Sequence, residues 1–223
     1  MIFGMAWQTS QEEQIDGVDF DWEAPRNSKD LQGYELLLRE SYEELYLKHD
    51  ILLSVALHPQ QKYRVLARWV QRVNIMAYDM SSAQSNHHAP QEALHDAITE
   101  FLGAGFPPNK LVLGMPAYGR NARNPNQVQT YAEIVDAILQ ADPAADHKTI
   151  TRNDQWKGFF FDSPRLVKRK VDYAIKHSLA GVFFWELGQD KQHEEFAPGG
   201  LLLEAAARQV QSSNSMHGSN VEL

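Results

Sequence analysis

The chain has 223 residues, of which 43% are apolar and 22% are charged, and this composition is typical of one globular domain with a sizeable core. Its formal net charge of -8 at pH 7 argues against a nucleic-acid partner, and no apolar run approaches the ~20 residues that span a bilayer. The chain has no cysteine, which excludes disulfides and cysteine-ligated metals.

The stretch DGVDFDWE, residues 16–23, alternates acidic and apolar side chains. Asp19, Asp21 and Glu23 occupy every second position, with one apolar residue between neighbours. A period of two predicts a strand that carries the three carboxylates on one face, with Cα atoms ~6.6 Å apart. This crowding is expected to raise the pKa of at least one carboxyl group or to attract a cation. The alternative interpretation is an edge strand with a solvated acidic face.

Helical and strand patterns alternate along the rest of the chain. Strands are predicted near residues 17–22, 51–57, 72–78, 111–116 and 181–186. Helices are predicted to start at Asn27 or Ser28, Pro90, Thr130, Ser163 and after Gly200, and Thr130 with Glu133 is expected to form a capping box. Residues 148–162 predict a β-hairpin, and residues 212–223 predict a disordered tail.

Polar residues cluster where the predicted strands end. The clusters are Asp21 with Glu23, Tyr78 with Asp79, Tyr118 with Arg120, and Trp185 with Glu186. Strands that alternate with helices predict parallel βα units, and functional residues at the carboxyl ends of the strands favour a TIM barrel. A doubly wound sheet is the main alternative, but the glycine-rich phosphate loop that usually follows its first strand is not found in the sequence.

DGVDFDWE resembles the signature of family 18 glycoside hydrolases, the chitinases and their relatives, which is Asp-x-x-Asp-x-Asp-x-Glu on the fourth barrel strand. MAYD (residues 76–79), GMPAYGR (114–120) and GVFFWELGQD (181–190) resemble the family's sixth, seventh and eighth strands, in the right order. The resemblance runs from about residue 14 to about residue 208.

The resemblance implies an α/β fold, a TIM (β/α)8 barrel that is incomplete here. Residues 1–211 would hold the fourth to eighth strands, with a small α+β insertion at about 121–180 between the seventh and eighth. The first three βα units are expected to be missing from this chain, because a complete barrel takes ~250 residues and the acidic strand begins near residue 17.

The activity implied by the resemblance is hydrolysis of β-1,4-N-acetylglucosamine linkages in chitin or chitooligosaccharides, by a substrate-assisted retaining mechanism. Glu23 would be the general acid and base, Asp21 would hold the substrate's acetamido group, and Asp19 would share a proton with Asp21. Tyr78 would donate its hydroxyl to the acetamido carbonyl. The expected substrate contacts are Trp185 as the sugar floor, Met76, Asp79, Tyr118 and Arg120.

Several of these interpretations have alternatives. Arg120 could instead form a surface ion pair, and Asp16 is expected only to brace the start of the strand. The whole chain could be a chitin-binding, lectin-like protein or an inactive truncated remnant.

No cofactor and no metal are expected, and the adjacent His87 and His88 are expected to be exposed in a polar loop. Unpaired barrel edges predict self-association. No secretory signal is recognised in the first residues, although an intact family member is expected to be extracellular.

Overall fold

The computed structural model describes residues 15–23, 25–80, 85–145, 147–194 and 197–218. The chain forms two compact units. The first comprises Met1–Met76 and Ala97–Val112, and the second comprises Ala77–Asp96 and Leu113–Leu223.

The first unit contains three parallel strands. They are β1 (Gly17–Phe20), β2 (Leu52–Leu57) and β3 (Arg72–Ile75). In the β1–β2 register, Gly17 lies opposite Leu52 and Asp19 lies opposite Ser54. A Cβ atom at Gly17 would lie 2.7 Å from the carbonyl oxygen of Leu52. Only glycine therefore lets the two strands approach this closely.

The two faces of these strands differ in polarity, as the period-two pattern predicts. Buried apolar side chains occupy one face of β2 and β3: Leu53, Val55, Leu57, Val73 and Ile75. Ser54 and Asn74 lie between them in the sequence and are only partly buried. The polar face therefore continues from β1 across β2 and β3.

Helix α1 (Ser28–Ser41) follows the acidic strand and continues through a π-helical turn, Tyr42–Tyr46, to Leu47–His49. Of the two predicted caps, Asn27 is the one used, because its side chain accepts hydrogen bonds from the backbone N–H groups of Lys29 and Asp30 at 2.9 and 3.0 Å. Tyr34, Leu38 and Leu45 are buried at helical spacing.

Two further strands complete the predicted set. They are β4 (Leu111–Pro116), whose first two residues belong to the first unit, and β9 (Gly181–Trp185) in the second. Within the described residues, one sheet has the strand order β1–β2–β3–β4–β9. All five predicted strands are present, and three of them end one to three residues earlier than predicted.

A separate antiparallel sheet lies in the second unit, with the strand order β6–β5–β8–β7. Its strands are β5 (Tyr118–Asn121), β6 (Val128–Thr130), β7 (Gln155–Trp156) and β8 (Phe159–Phe160). The predicted end of the strand at residue 116 is confirmed, because β4 ends at Pro116 and the chain pairs with β6 from Tyr118 onward.

Five α-helices follow α1 and its continuation in the described residues, besides three short 3-10 helices, Arg64–Arg68, Pro108–Lys110 and Leu187–Gln189. The five α-helices are α2 (Gln91–Gly103), α3 (Tyr131–Ala141), α4 (His147–Arg152), α5 (Pro164–Lys176) and α6 (Leu201–Gly218). The predicted capping box of Thr130 and Glu133 is confirmed, as is the cap of α5 by Ser163. The predicted start of α2 at Pro90 is one residue early.

The hairpin predicted over residues 148–162 is only partly correct. Its first five residues belong to α4, and the hairpin is confined to β7 and β8, with a turn at Lys157 and Gly158. Ile150 is 5% exposed and packs into the core of the second unit. This packing outweighs the preference of the β-branched residues around Ile150 for a strand.

The last helix also differs from the sequence prediction, because α6 reaches Gly218 and so enters the segment predicted to be disordered. Ser212, Ser213 and Ser215 donate hydroxyl hydrogen bonds to backbone carbonyls three or four residues earlier, which satisfies these polar groups inside a helix. Residues 219–223 lie outside the described residues. Throughout the described part of the chain, each helix is either too short or too polar to span a membrane.

Candidate active site

The three carboxylates predicted to share a face lie at and beyond the end of β1. Asp19, Asp21 and Glu23 are all exposed, whereas Val18 and Phe20 are partly buried, so the alternation is confirmed as far as Asp21. It does not extend further, because β1 ends at Phe20 and Trp22 is 40% exposed. For the described residues, the strand has the features of the alternative interpretation, an edge strand with a solvated acidic face. β1 is the terminal strand of the sheet order, and its acidic face is exposed.

Asp19 is held by the neighbouring strands. The hydroxyl of Ser54 on β2 and the side-chain amide of Asn74 on β3, the latter at 3.0 Å, both donate to Asp19 Oδ1. A carboxylate that accepts two hydrogen bonds on one oxygen has a fixed orientation. Asp19 is therefore oriented by the polar face of the parallel strands.

Asp21 is a carboxyl group of this row with a raised pKa, and partial burial is the largest cause. Burial, followed by the charges of Glu23 and Asp19, raises the pKa of Asp21 above its ordinary value. This direction agrees with the expectation that one of the clustered carboxyl groups retains its proton more strongly.

The backbone that carries Glu23 is fixed by a buried glutamine. Gln61 is 6% exposed and donates from Nε2 to the carbonyl oxygen of Glu23 at 2.6 Å. Its Oε1 accepts from the backbone N–H of His58 at 2.7 Å. Glu23 also lines an open depression together with Asp21, Trp22, Arg26 and Asp30.

Helix α1 supports the same segment through Tyr34. The Tyr34 hydroxyl donates to the carbonyl oxygen of Phe20 at 3.0 Å, and its ring meets Trp22 edge-to-face with centroids 5.3 Å apart. Burial raises the pKa of Tyr34, so its hydroxyl stays protonated and available as a donor. Trp22 therefore contacts helix α1 through Tyr34, but it is 40% exposed, so its predicted packing against helices is only partly correct.

The residues predicted from MAYD divide between the units. Met76 is in the first unit, is 8% exposed, and donates its backbone N–H to Leu57. Tyr78 is in the second unit, is buried, and contacts the rings of Tyr118 and Phe183 with centroids 6.3 and 6.4 Å away.

Asp79 is the centre of a charged cluster in the second unit. Arg120 donates to both of its oxygens, through Nε and through Nη2 at 2.5 Å, and His88 Nδ1 lies 2.9 Å from Oδ1. Burial alone would raise the pKa of Asp79, but the hydrogen bonds from His88 and Arg120 outweigh it and lower this pKa. Arg120 is thus paired with a neighbouring side chain of the predicted site.

Two further predicted sugar contacts lie in the second unit in different surroundings. Tyr118 is 5% exposed and packs on the ring of His88, with centroids 5.1 Å apart. Trp185 at the end of β9 is 52% exposed, which leaves its ring accessible. Within the described residues, no group of three or more histidine and acidic side chains could hold a metal ion.

The sequence reasoning missed several residues that organise these carboxylates. Ser54 and Asn74 were detectable only as polar residues at alternate positions of apolar strands, and Gln61 gave no local signal. The expectation that His87 and His88 are exposed is wrong. His88 is 6% exposed and the His87 side chain 11%, because both rings hydrogen-bond to groups distant in the sequence.

The parallel sheet, with acidic residues directly after its first strand, belongs to the TIM-barrel-like class of α/β proteins. The family model for glycosyl hydrolases family 18 matches residues 4–190, and the chain belongs to this family.

Among curated relatives, Chitinase 1 of Aphanocladium album is 27% identical over 80% of this chain and 53% of its own length. Class V chitinase CHIT5 of Lotus japonicus is 27% identical over 82% of this chain and 58% of its own length. The chain therefore spans about half the length of these curated relatives.

Solved structures share the fold at lower identity. The Ostrinia furnacalis Group IV chitinase in complex with allosamidin has a TM-score of 0.76 at 24% identity, covering 94% of this chain and 72% of that chain. The chitinase-like agglutinin of Robinia pseudoacacia has a TM-score of 0.73 at 24% identity, covering 93% of this chain and 71% of that chain.

Proposed function

We propose that the chain carries the acidic strand of a glycosidase that hydrolyses β-1,4-N-acetylglucosamine linkages in chitin or chitooligosaccharides. The observation that carries the proposal is the row of three carboxylates at the end of β1, in which Asp19 is oriented by two donors and the pKa of Asp21 is raised. Family membership and the similarity to curated chitinases support this substrate class.

The proposed reaction is substrate-assisted and retaining. Glu23 donates its proton to the glycosidic oxygen as the bond to the anomeric carbon breaks, and the substrate's own acetamido oxygen forms a new bond to that carbon. Retaining glycosidases with two catalytic carboxylates use one of them as the nucleophile in this second role, and this family is an exception. Glu23 then takes a proton from water, whose oxygen replaces the acetamido oxygen and restores the free sugar with retained configuration.

Asp21 and Asp19 have supporting roles in this proposal. Asp21 accepts the acetamido N–H, and its negative charge stabilises the positively charged cyclic intermediate. Asp19 shares a proton with Asp21, for which the raised pKa of Asp21 provides support. Ser54 and Asn74 keep Asp19 in the required orientation.

Four residues of the second unit are proposed sugar contacts, as the family resemblance implies. Tyr78 donates its hydroxyl to the acetamido carbonyl, and Trp185 provides an apolar floor through its exposed ring. Asp79 and Arg120 are also proposed sugar contacts, and they form an ion pair with each other. Met76 in the first unit and Tyr118 in the second are buried, and each is a proposed substrate contact through its apolar surface.

The experiment that tests the proposal combines hydrolysis and binding in the same chain. A fluorogenic chitobioside assay should show turnover by the unmodified chain and a loss on the order of 10²-fold in Glu23→Gln, which keeps the size of the side chain but removes the transferable proton. Glu44→Gln makes the same chemical change at a residue whose side chain is 46% exposed and paired with Lys48, and should leave the rate unchanged.

Binding to insoluble chitin separates the alternatives. Retention on chitin without hydrolysis would instead support a lectin-like function, for which the fold shared with an agglutinin is a precedent. A chain that shows no hydrolysis and no binding would be an inactive remnant. Either of these two results would contradict the proposal for this chain.

We also propose self-association for this chain, and an extracellular location for an intact member of the family. β1 is the terminal strand among the described residues, so its outer edge offers backbone groups for pairing with a second copy. Light scattering of the purified chain should show a mass above 25.4 kDa, and a stable monomer would contradict the proposed association.

A further inference from the structure

His87 and His88 are adjacent, largely buried, and differ in what their ring nitrogens face. Their rings stack, with centroids 5.6 Å apart and planes 8° from parallel. Both line a pocket of about 340 Å³ together with Asp79, Arg120 and Asn121. A buried imidazole has to satisfy two ring nitrogens, so the partners of each nitrogen indicate where its protons are.

Both ring nitrogens of His88 face hydrogen-bond acceptors. Nδ1 lies 2.9 Å from Oδ1 of Asp79, and Nε2 lies 3.3 Å from the carbonyl oxygen of Tyr118. A backbone carbonyl only accepts, and an ionised carboxylate, as the lowered pKa of Asp79 implies, also only accepts. A neutral imidazole has one N–H, so it could donate only one of these two bonds. Both can form at once only if His88 is protonated on both nitrogens.

In His87, one ring nitrogen faces a hydrogen-bond acceptor and the other faces a donor. Its Nε2 lies 2.9 Å from the carbonyl oxygen of Phe161, to which it can only donate. Its Nδ1 accepts from the backbone N–H of Ala89 at 3.0 Å and therefore carries no proton. One donor and one acceptor define a neutral ring with its proton on Nε2. Burial lowers the pKa of His87, and the positive charges of Lys170 and His88 lower it further against the opposing effect of Asp162.

We propose that His88 is a positioning residue that carries two ring protons and, with Arg120, fixes the carboxylate of Asp79, while its neighbour His87 remains neutral. The charged and titratable groups that face the pair are Asp79 after β3, Tyr118 and Arg120 on β5, Asp162 before α5, and Lys170 on α5. Asp79 supplies the negative charge that stabilises the His88 imidazolium, and a stacked neutral His87 adds no positive charge next to it.

The geometry also explains how Asp79 keeps its backbone conformation. Asp79 has a φ of 56°, in the left-handed region that few residues other than glycine adopt. Arg120 on β5 and His88 both hydrogen-bond to the carboxylate of Asp79 and so fix its side chain. Loss of the His88 donor should therefore loosen Asp79 even though Arg120 remains.

The consequence for substrate rests on the proposed function, in which Asp79 contacts the sugar. Asp79 is then a binding group rather than the acid, so His88→Gln should raise KM for a chitobioside by about tenfold, with a smaller change in kcat. His87→Gln replaces a neutral ring with a neutral side chain, so it should change KM and kcat less than His88→Gln does.

The decisive test does not depend on activity. Long-range ¹H–¹⁵N NMR of the histidine rings in the full chain reports the protonation of each nitrogen, and His87→Gln and His88→Gln assign the signals. At neutral pH, His88 should have two protonated nitrogens and His87 only Nε2–H. A His88 ring with a single protonated nitrogen would overturn the proposal, whether or not the chain hydrolyses chitin.

A second measurement follows the titration of the Asp79 carboxyl group. The midpoint of the ¹³C titration of Asp79 should rise toward the ordinary pKa of 3.8 in His88→Gln, because one of the two groups that lower this pKa is lost. The midpoint should not change in His87→Gln. An unchanged midpoint in His88→Gln would contradict the proposal. If His88→Gln does not fold, Asp79→Asn provides the same test, because His88 should then lose its second ring proton at neutral pH.

Discussion

The side-chain amide of Gln61 donates to the backbone carbonyl oxygen of Glu23 at 2.6 Å, which links a buried residue of the loop after β2 to the proposed catalytic acid. Gln61→Ala should lower the rate of chitobioside hydrolysis on the order of tenfold, because a displaced general acid transfers its proton less effectively. Stability should fall by about 1 kcal/mol. Rate measurements and thermal unfolding check the two effects.

Gln71→Ala is the matched control for Gln61. Gln71 Oε1 accepts from the backbone N–H of Leu53 at 2.8 Å, so this variant also loses a glutamine-to-backbone hydrogen bond, but on β2 and away from Glu23. It should destabilise the protein to a similar degree and leave kcat unchanged. Equal rate losses in both variants would mean that Gln61 acts only through stability.

Two glycines in the first unit should respond oppositely to alanine. Gly17→Ala would place a Cβ atom 2.7 Å from the carbonyl oxygen of Leu52 and should cost about 1–3 kcal/mol as β1 and β2 separate. Gly33→Ala, in α1 with no atom within 4 Å of the new Cβ, should stabilise by about 0.5–1 kcal/mol. Urea unfolding of both variants provides the measurement. A neutral Gly17→Ala would show that the β1–β2 pairing is looser than described.

The sequence predicted the elements well where the signal was local. The alternation in DGVDFDWE predicted β1 and its two faces, and the spacing of Thr130 and Glu133 predicted the start of α3. In each case the residues that create the pattern also form the contacts, so no knowledge of distant segments was needed.

The residues that organise the carboxylates could not be predicted in the same way. Asn74 reaches Asp19 only because two strand registers place β3 beside β2 and β2 beside β1, and neither register can be read from a short window. His88 lies in a locally polar loop and is buried by Asp79 and Tyr118, which are 9 and 30 residues away. The strand-like residues around Ile150 became helical because of tertiary packing.

Acid should destabilise the second unit partly through Asp79. Its pKa is lowered in the folded chain, so its ionised form contributes stability that is complete above the ordinary value of 3.8 and is lost as the pH falls below it. Asp79→Asn should therefore be less stable than the unmodified chain at pH 7, and this difference should shrink as the pH falls below 3.8. Chemical unfolding across this pH range gives the measurement.

Asp136→Asn is the comparison for Asp79→Asn, since Asp136 is half exposed and pairs with Lys191 at 2.6 Å. Loss of this surface pair should cost about 0–1 kcal/mol. If Asp79→Asn were no less stable at pH 7 than Asp136→Asn, the contacts of Asp79 with His88 and Arg120 would not be stabilising.

The acidic limb of the activity profile should depend on Asp21. In the proposed mechanism Asp21 has to be ionised to stabilise the positive intermediate, and its pKa is raised by burial and by the charges of Glu23 and Asp19. The rate should therefore rise with pH through a midpoint above 3.8. Asp21→Asn should lower the rate on the order of 10²-fold and abolish this limb, because its amide does not titrate.

Asp19→Asn tests whether the charge of Asp19 contributes to the raised pKa of Asp21. Removal of the Asp19 charge should lower the pKa of Asp21, so the acidic limb should move to lower pH, while Ser54 can still donate to the remaining side-chain oxygen. Rates measured from pH 3 to 8 for the unmodified chain, Asp19→Asn and Asp21→Asn, with Glu44→Gln as the exposed control, test both statements. If the acidic limb persists unchanged in Asp21→Asn, another group controls it, and the role assigned to Asp21 is wrong.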